Sequence, residues 1–194
     1  MVEIFFCRHG QSKHNEKKLI QGQIDSELTD KGREQAKNLS ETLSDENFDL
    51  IYSSDLKRAR ETAEIIQENH DKELMETEKL RERNLGELEG KHYTEWDQVN
   101  AEDHHSWSPK NGESLKEHKK RVCGVLDQIR QENPKKVLIV SHGGSIKAAI
   151  TAVLKCDSRQ SWRLNIENCS ITRLKSKDEG WIIEEVNNTA HLKN

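Results

Sequence analysis

The chain has 194 residues, and its 31 Lys and Arg residues against 35 Asp and Glu residues give a net charge of −4. This near balance excludes the large basic excess that readers of the nucleic-acid backbone carry, so we expect no nucleic-acid partner. The longest unbroken apolar runs cover only a few residues, far short of the roughly 20 that a membrane-spanning helix needs, so we expect no membrane association. The length favours a single domain over residues 1–194.

The N-terminal residues and the cysteines indicate a compartment. Residues 1–7 lack a basic leader and run directly into Arg8 and His9, which is typical of a first strand and not of a signal peptide. The four cysteines show no CxxC spacing, and a reduced thiol in an apolar pattern behaves as a small hydrophobe. We therefore expect a cytoplasmic protein with structural thiols.

Strand and helix patterns alternate along the chain. Apolar runs with β-branched or aromatic residues predict strands over 2–7 and 48–52, and a third over 137–141. Apolar residues at spacings of three and four predict one amphipathic helix after each of the first two strands. These positions are Ala36, Leu39 and Leu43 for the first helix and Leu56, Ala59, Ala63 and Ile66 for the second.

The second half of the chain continues this alternation. Ser114 and Glu117 form an S-x-x-E capping box that begins a third helix, and the Asn-Pro pair at 133–134 ends it. A fourth helix is predicted directly after the third strand. Two further strands are predicted over 170–174 and 181–186.

This order of elements predicts an α/β fold, a three-layer α/β/α sandwich with a mostly parallel central sheet, because parallel strands need long crossover connections. Ligands of such sheets bind beyond the carboxyl ends of the strands, where loops lead into helix N-termini with free N–H groups. A functional site is therefore expected at those strand ends.

Cationic and imidazole side chains follow the three predicted inner strands. Arg8 and His9 come after the first, Arg58 lies in the first helical turn after the second, and His142 with Gly143 comes after the third. Two imidazoles and two guanidiniums therefore converge on one edge of the sheet. Their natural counter-ion is a phosphoryl group, which guanidinium forks bind bidentately and helix N-termini bind through N–H groups. The sequence thus predicts a pocket for a dianion.

Other interpretations of these residues are weaker. The glycines after His142 could form an oxyanion loop of the lipase kind, but the sequence has no G-x-S-x-G elbow. The two histidines could bind a metal, but neither has a carboxylate or cysteine at ligand spacing and the arginines would repel a cation, so we expect no metal. No P-loop or G-x-G-x-x-G motif is present to bind a nucleotide. We interpret His104, His105 and His118 as surface residues.

The ordered motifs resemble those of the histidine phosphatase superfamily, also called the phosphoglycerate mutase-like family. Residues 8–15 match its opening R-H-G-[QE]-[ST]-x-x-N signature, and the resemblance covers nearly the whole chain. Further matching blocks lie at 28–36, 53–63, 80–90, 112–114 and 141–144. The resemblance implies the same fold and a reaction that transfers a phosphoryl group.

The resemblance also implies a role for the residues at the strand ends. His9 would be the nucleophile that becomes phosphorylated, and Arg8, Arg58 and His142 would hold the phosphoryl oxygens. Because two arginines can stabilise charge on these oxygens without a metal ion, no cofactor is implied. By analogy, the substrate-binding residues would be Asn15, Gln21, Gly22 and Gly143.

Glu82 would carry the proton in this comparison. It would act first as an acid toward the leaving alkoxide and then as a base toward water. Its position rests on a family block and not on a strand end, and Glu87 and Glu89 are the rival carboxylates.

Members of the family divide between phosphatases and cofactor-dependent mutases. The mutases are longer, carry an insertion before the Gly-Glu-Ser block, and tend to have Asn where this chain has Gly144 and an aromatic residue where it has Leu85. We therefore expect a hydrolase of small-molecule phosphate esters, a monomer or homodimer, with its specificity residues mainly within 93–108. The alternatives are a cofactor-dependent phosphoglycerate mutase and a non-catalytic phospho-ligand binding protein of the same fold.

Overall fold

The computed structural model describes residues 1–98, 107–178 and 180–192. Its strands and longer helices follow in the order β1 (Glu3–Arg8), α1 (Lys13–Glu16), α2 (Asp30–Leu43), β2 (Leu50–Ser54), α3 (Lys57–Gln67), β3 (Leu74–Thr77), α4 (Leu115–Glu132), β4 (Lys136–Ser141), α5 (Gly143–Val153), β5 (Ile171–Lys177) and β6 (Gly180–Asn188). The predicted alternation of strands and helices is confirmed.

The described strands form one sheet in the order β3-β2-β4-β1-β5-β6. β3, β2, β4 and β1 pair in parallel, whereas β5 runs antiparallel to β1 and β6 antiparallel to β5. The prediction of a mostly parallel sheet is therefore correct. The carboxyl ends of β2, β4 and β1, the three neighbouring strands at the centre, lie at one edge.

Two apolar layers cover the two faces of this sheet. Ile4 and Phe6 of β1 pack with buried residues of α4 and α5, whereas Phe5 and Cys7 pack with buried residues of α2 and α3. Side chains of a strand alternate between faces, so one fully apolar strand can contribute to both layers. This arrangement is the predicted α/β/α sandwich.

The capping signals fix α4 as the sequence predicts. The Ser114 side chain accepts the Glu117 N–H and the Glu117 side chain accepts the Ser114 N–H, while Asn133 ends the helix in the left-handed region at φ +54°.

β2 begins at Leu50, two residues later than the predicted strand over 48–52. The Phe48 ring is buried against Phe5 and lies outside the strand pairing. No helix among the described residues is long and apolar enough to cross a membrane.

Candidate active site

β1 and β4 end side by side, and this brings the first two motifs together. Arg8, the last residue of β1, pairs with Ser141, the last residue of β4. The next residue after each strand is a histidine, and the ring centroids of His9 and His142 are 5.2 Å apart. Arg58 joins them from the first turn of α3, which follows the neighbouring strand β2. The three strand ends meet as the sequence predicts.

A cavity of about 560 Å³ opens at these strand ends. It is lined by Arg8, His9, Asn15, Lys18, Ile20, Gln21, Gly22, Arg58, Glu82, Leu85, His92, Tyr93 and Thr94. All of the predicted site residues are therefore in its wall except His142 and Gly143. His142 is fully buried beside His9, and a Cβ on Gly143 would lie 3.6 Å from Arg8 Nε, so both sit directly behind the lining.

His9 is held in one tautomer. Its Nδ1 lies 2.6 Å from the carbonyl oxygen of Gly10, and because a carbonyl only accepts, Nδ1 carries the proton of the neutral ring and Nε2 keeps its lone pair. Burial, together with the charges of Arg58 and Arg8, holds the pKa of His9 well below its ordinary value. His9 therefore presents a neutral imidazole whose Nε2 can attack an electrophile at neutral pH.

The loop after His9 is packed too closely for any other residue at position 10. The Gly10 N–H donates to Thr62 Oγ1 of α3 at 3.1 Å. A Cβ on Gly10 would meet the Gly32 carbonyl oxygen of α2 at 2.4 Å, so a larger residue would push the loop off α2. Two helices therefore fix the backbone that orients the imidazole.

Arg8 and Arg58 bring two positive charges to the cavity, and neither forms an ion pair with a carboxylate in the described part of the chain. Arg58 is fully buried, and its guanidinium donates to the carbonyl oxygens of Ile24 at 2.9 Å and Gly22 at 2.8 Å. Desolvation lowers the pKa of Arg58 to about 10, which leaves it charged at neutral pH. The Nε atoms of both arginines are buried without a hydrogen-bond partner among the described residues. Charges buried in this way favour an anionic ligand.

His142 has one ring nitrogen paired and one unpaired among the described residues. Ser54 Oγ accepts the Leu56 N–H at 3.3 Å and lies 2.9 Å from His142 Nε2, so the hydroxyl proton can go to that nitrogen. Burial, reinforced by the charge of Arg58, lowers the pKa of His142 well below its ordinary value. The neutral ring then carries its proton on Nδ1, which is buried and has no partner in the described part of the chain. An N–H donor is thus left over beside His9.

Glu82 reaches the cavity from the segment before α4. Its Oε1 accepts the Arg83 N–H at 2.8 Å, and its Oε2 accepts the Gly144 N–H of the α5 N-terminus at 2.9 Å. A Cβ on residue 144 would lie 2.1 Å from Glu82 Oε1, so only glycine allows this approach. The carboxyl group is therefore held by two backbone N–H donors, that of Arg83 and that of Gly144 at the N-terminus of α5.

Arg121 of α4 fixes the backbone that carries Glu82. Its guanidinium donates to the carbonyl oxygens of Lys79, Arg81 and Glu82 at 3.0, 2.9 and 3.2 Å. The same side chain pairs with Glu113 at 2.7 Å. Arg121 thus connects the block at 80–90, which contains Glu82, to the Gly-Glu-Ser block at 112–114, although the two blocks are separate in sequence.

The prediction that His118 is a surface residue is wrong. The residue is 1% exposed, and its Nε2 lies 3.1 Å from Ser145 Oγ and 3.9 Å from Glu82 Oε1. Ser145 donates in turn to the Arg81 carbonyl at 3.1 Å. A hydrogen bond to the Ser145 hydroxyl of α5 offsets the cost of burying the ring, and no local pattern reveals a partner so distant in sequence. His104 and His105 lie outside the described residues.

The predicted substrate-binding residues Asn15 and Gln21 of the first loop line the cavity and are held by hydrogen bonds from Ser12. Asn15 Oδ1 accepts the Ser12 N–H at 3.1 Å, and Gln21 Oε1 accepts the Ser12 hydroxyl at 2.7 Å. Both amide oxygens are engaged, which leaves their NH₂ groups as donors for a ligand. Gly22 has φ +49°, and its carbonyl oxygen accepts a hydrogen bond from the Arg58 guanidinium.

The rival carboxylates are placed elsewhere. Glu89 Oε1 accepts the N–H groups of Gln23 and Leu85, both at 2.9 Å, so this side chain closes a turn. Glu87 is exposed. Neither lines the cavity, and of the three carboxylates Glu82 alone does.

A family model matches nearly the whole chain. The model of the histidine phosphatase superfamily (branch 1) matches residues 4–189. The chain belongs to this superfamily.

Relatives within the superfamily match the chain from end to end. A Hydrogenobacter thermophilus protein named as a phosphoserine phosphatase is 30% identical over 200 residues, covering 100% of this chain and 98% of its own length. An Escherichia coli protein named as a phosphoglycerate mutase is 31% identical over 209 residues, covering 99% of this chain and 95% of its own length. The crystal structure of a phosphoserine phosphatase from Entamoeba histolytica in complex with 3-phosphoglyceric acid superimposes with a TM-score of 0.90 at 30% identity, covering 100% of both chains. Family and relatives place the chain among the phosphoric monoester hydrolases.

Sequence reasoning on this histidine phosphatase missed part of the cavity wall. Tyr93 and Thr94 belong to the segment 93–108 in which specificity residues were predicted, whereas Lys18, Ile20 and His92 line the cavity but were not predicted. They lie on two loops that meet through an isolated bridge between Leu19 and His92, which joins positions far apart in sequence. Loops carry no periodic signal, so no local pattern in the sequence pointed to these positions.

Proposed function

We propose that this protein hydrolyses small-molecule phosphate monoesters through a phosphohistidine on His9, with Glu82 as proton donor and then acceptor. The observation that carries the proposal is the tautomer of His9. Its proton is held on Nδ1 by Gly10, and its free Nε2 stands beside two guanidiniums that lack carboxylate partners among the described residues. A nucleophile next to a site that favours an anion is what phosphoryl transfer requires.

In the first half of the reaction, His9 Nε2 attacks phosphorus and the bond from phosphorus to the ester oxygen breaks. Protonated Glu82 gives its proton to the departing oxygen, and the imidazole becomes a cation whose Nδ1–H still donates to Gly10. The guanidiniums of Arg8 and Arg58 stabilise the charge on the phosphoryl oxygens, and the spare N–H of His142 adds a third donor.

In the second half, water attacks the phosphorus of phosphohistidine. Glu82, now a carboxylate, takes the proton from this water, the bond from Nε2 to phosphorus breaks, and inorganic phosphate leaves. Glu82 ends protonated and His9 ends neutral, so both groups return to their starting states. One carboxyl can serve both steps because the leaving oxygen and the attacking water occupy the same in-line position.

The name of the Escherichia coli relative keeps a mutase as the second candidate. A mutase would transfer the phosphoryl group from His9 back to an organic hydroxyl, and it must shield phosphohistidine from water. Release of inorganic phosphate in proportion to the alcohol formed supports hydrolysis. Isomerised phosphoester without free phosphate would support a mutase and contradict our proposal.

Hydrolysis of an aryl phosphate is expected to survive complete chelation of divalent cations. The reason is that two arginines supply the positive field that a metal ion supplies in other phosphatases, and the N–H of the neutral His142 ring adds a further donor. Initial rates with and without excess chelator, measured on the same enzyme preparation, check this. A loss of activity that a divalent cation restores would contradict the mechanism.

Inorganic phosphate and vanadate are expected to inhibit competitively and to raise the melting temperature. Either anion would bind the native state alone and offset the repulsion between Arg8 and Arg58. Arg58→Ala is the matched variant, and it should show a smaller shift at the same phosphate concentration. An equal shift in both proteins would place the bound anion elsewhere.

A further inference from the structure

His118 is a buried imidazole close to the proton-carrying carboxyl group, and the proposed reaction does not use it. Its ring lines a second cavity of about 200 Å³, which shares Glu82 and Leu85 with the main cavity. His118 is not in the wall of the main cavity. It therefore approaches Glu82 from outside the space that the substrate would fill.

The contacts of His118 place its proton on Nε2. Burial lowers the pKa of His118 to about 4, so the ring is neutral at neutral pH and carries one proton. The Ser145 hydroxyl uses its single proton to donate to the Arg81 carbonyl oxygen at 3.1 Å, so it accepts from Nε2, which lies 3.1 Å away. A lone pair on Nε2 would also face Glu82 Oε1 at 3.9 Å, and a proton on Nε2 removes this repulsion.

The two oxygens of Glu82 differ in the N–H groups that face them. A carboxylate has about four lone-pair sites, two on each oxygen. Oε1 accepts the Arg83 N–H at 2.8 Å and lies 3.9 Å from His118 Nε2, a distance at which the N–H attracts the oxygen without a hydrogen bond. Among the described residues, Oε2 accepts only the Gly144 N–H, at 2.9 Å. The second site of Oε2 is therefore where a proton meets no N–H donor.

The same hydrogen bonds hold the main chain next to Glu82. The Arg81 carbonyl oxygen accepts the Ser145 hydroxyl at 3.1 Å and the Arg121 guanidinium at 2.9 Å, so both of its lone pairs are used. Ser145 lies in the first turn of α5, and His118 lies on α4. Through Ser145, His118 thus connects α4 to α5 and to the peptide bond that precedes Glu82.

We propose that His118 is a positioning residue that makes Oε1 of Glu82 a fixed acceptor and leaves Oε2 as the oxygen that exchanges protons with the substrate. This inference rests on the proposed function. In the first half-reaction the proton on Oε2 passes to the leaving oxygen, and in the second half Oε2 takes a proton from the attacking water. A proton on Oε1 would instead point at the N–H groups of Arg83 and His118.

The test measures how kcat/KM depends on the leaving group in variants of His118. His118→Leu removes the N–H donor and keeps a buried apolar side chain. It should lower kcat/KM about tenfold or more for alkyl phosphates and less than about twofold for an activated aryl phosphate, because aryl oxides depart without a proton. His118→Gln places an amide N–H near the position of Nε2 and should recover most of the rate for alkyl phosphates. An equal loss on both kinds of ester, or no recovery in a folded His118→Gln, would overturn the proposal.

Val122→Ala is the matched control, since Val122 is a fully buried residue one turn further along α4. It should lower the melting temperature and keep the wild-type dependence of log kcat/KM on leaving-group pKa. Ser145→Ala tests the proposal even if His118→Leu does not fold, because it removes the acceptor of Nε2. It should steepen this dependence as His118→Leu does, and a wild-type dependence in Ser145→Ala would contradict the proposal.

Nitrogen-15 NMR of histidine-labelled protein separates this proposal from the proposed function, because it needs no turnover. If the wild type hydrolyses no ester, including the aryl phosphate, the proposed function fails, and the spectrum still tests the contact between His118 and Glu82. The His118 signals are those that disappear in His118→Gln. A protonated Nε2 at neutral pH, with a chemical shift that changes in Glu82→Gln, supports the proposal. A proton on Nδ1, or an Nε2 shift that is the same in Glu82→Gln, contradicts it.

Discussion

His9→Ala is expected to abolish turnover and to abolish trapping of a phosphoenzyme at the same time. The variant removes His9 Nε2, which among the described residues is the only free imidazole nitrogen beside both arginines. A water molecule alone cannot replace Nε2 as the in-line nucleophile. Rapid quench with a ³²P-labelled aryl phosphate measures both effects. The wild-type phosphoenzyme should be labile in acid and stable in base, as a phosphoramidate is.

Arg58→Ala is the comparison for His9→Ala, because it removes a charge and keeps the nucleophile. Loss of one arginine that stabilises the transferring phosphoryl group costs on the order of 10³-fold or more, so slow turnover and slow labelling of His9 should persist. The melting temperature of each variant shows whether it is folded. An acid-stable phosphoenzyme, or a labelled enzyme in His9→Ala, would contradict the assignment of the nucleophile.

The central strands and their ends could be predicted because their signals are local. β1 and β4 are buried on both faces, so they read as continuous apolar runs, and the chain direction places Arg8 and His142 at the same edge. β3 was missed because Leu74–Thr77 is short, lies at the edge of the sheet and is only partly buried. An edge strand needs no apolar run, so its sequence resembles a loop.

Contacts between distant segments could not be predicted from local patterns. His118 sits on a helix whose other positions are rich in Lys, Arg and Glu, and only the Ser145 hydroxyl of α5 makes its burial acceptable. Glu82 was assigned by resemblance alone, and its bond to the Gly144 N–H depends on the approach of two segments 62 residues apart. Local patterns therefore predict where the imidazoles and guanidiniums meet, whereas the proposed roles of His9 as nucleophile and of Glu82 as acid come from the resemblance to the family.

Glu82→Gln is expected to slow the hydrolysis of alkyl esters far more than that of aryl esters. Alkoxides are poor leaving groups and need the proton of Glu82, whereas aryl oxides depart unaided, and a general acid contributes roughly 10²–10⁴-fold. A plot of log kcat/KM against leaving-group pKa should therefore be steeper for the variant. With a good aryl ester, His9 should still be phosphorylated while the base for water attack is missing, so a burst of aryl oxide and an accumulated phosphohistidine are expected.

Glu87→Gln is the matched control for this series, since Glu87 is an exposed carboxylate of the same segment and its loss should leave the plot unchanged. The amide introduced by Glu82→Gln has one geometric cost, because its NH₂ group must face either the Arg83 or the Gly144 N–H, each of which meets a carboxylate oxygen in the wild type. A displaced side chain would lower all rates by one factor and leave the slope alone. A loss of the acid changes the slope and traps phosphohistidine, so a uniform decrease without a trapped intermediate would make Glu82 a structural residue.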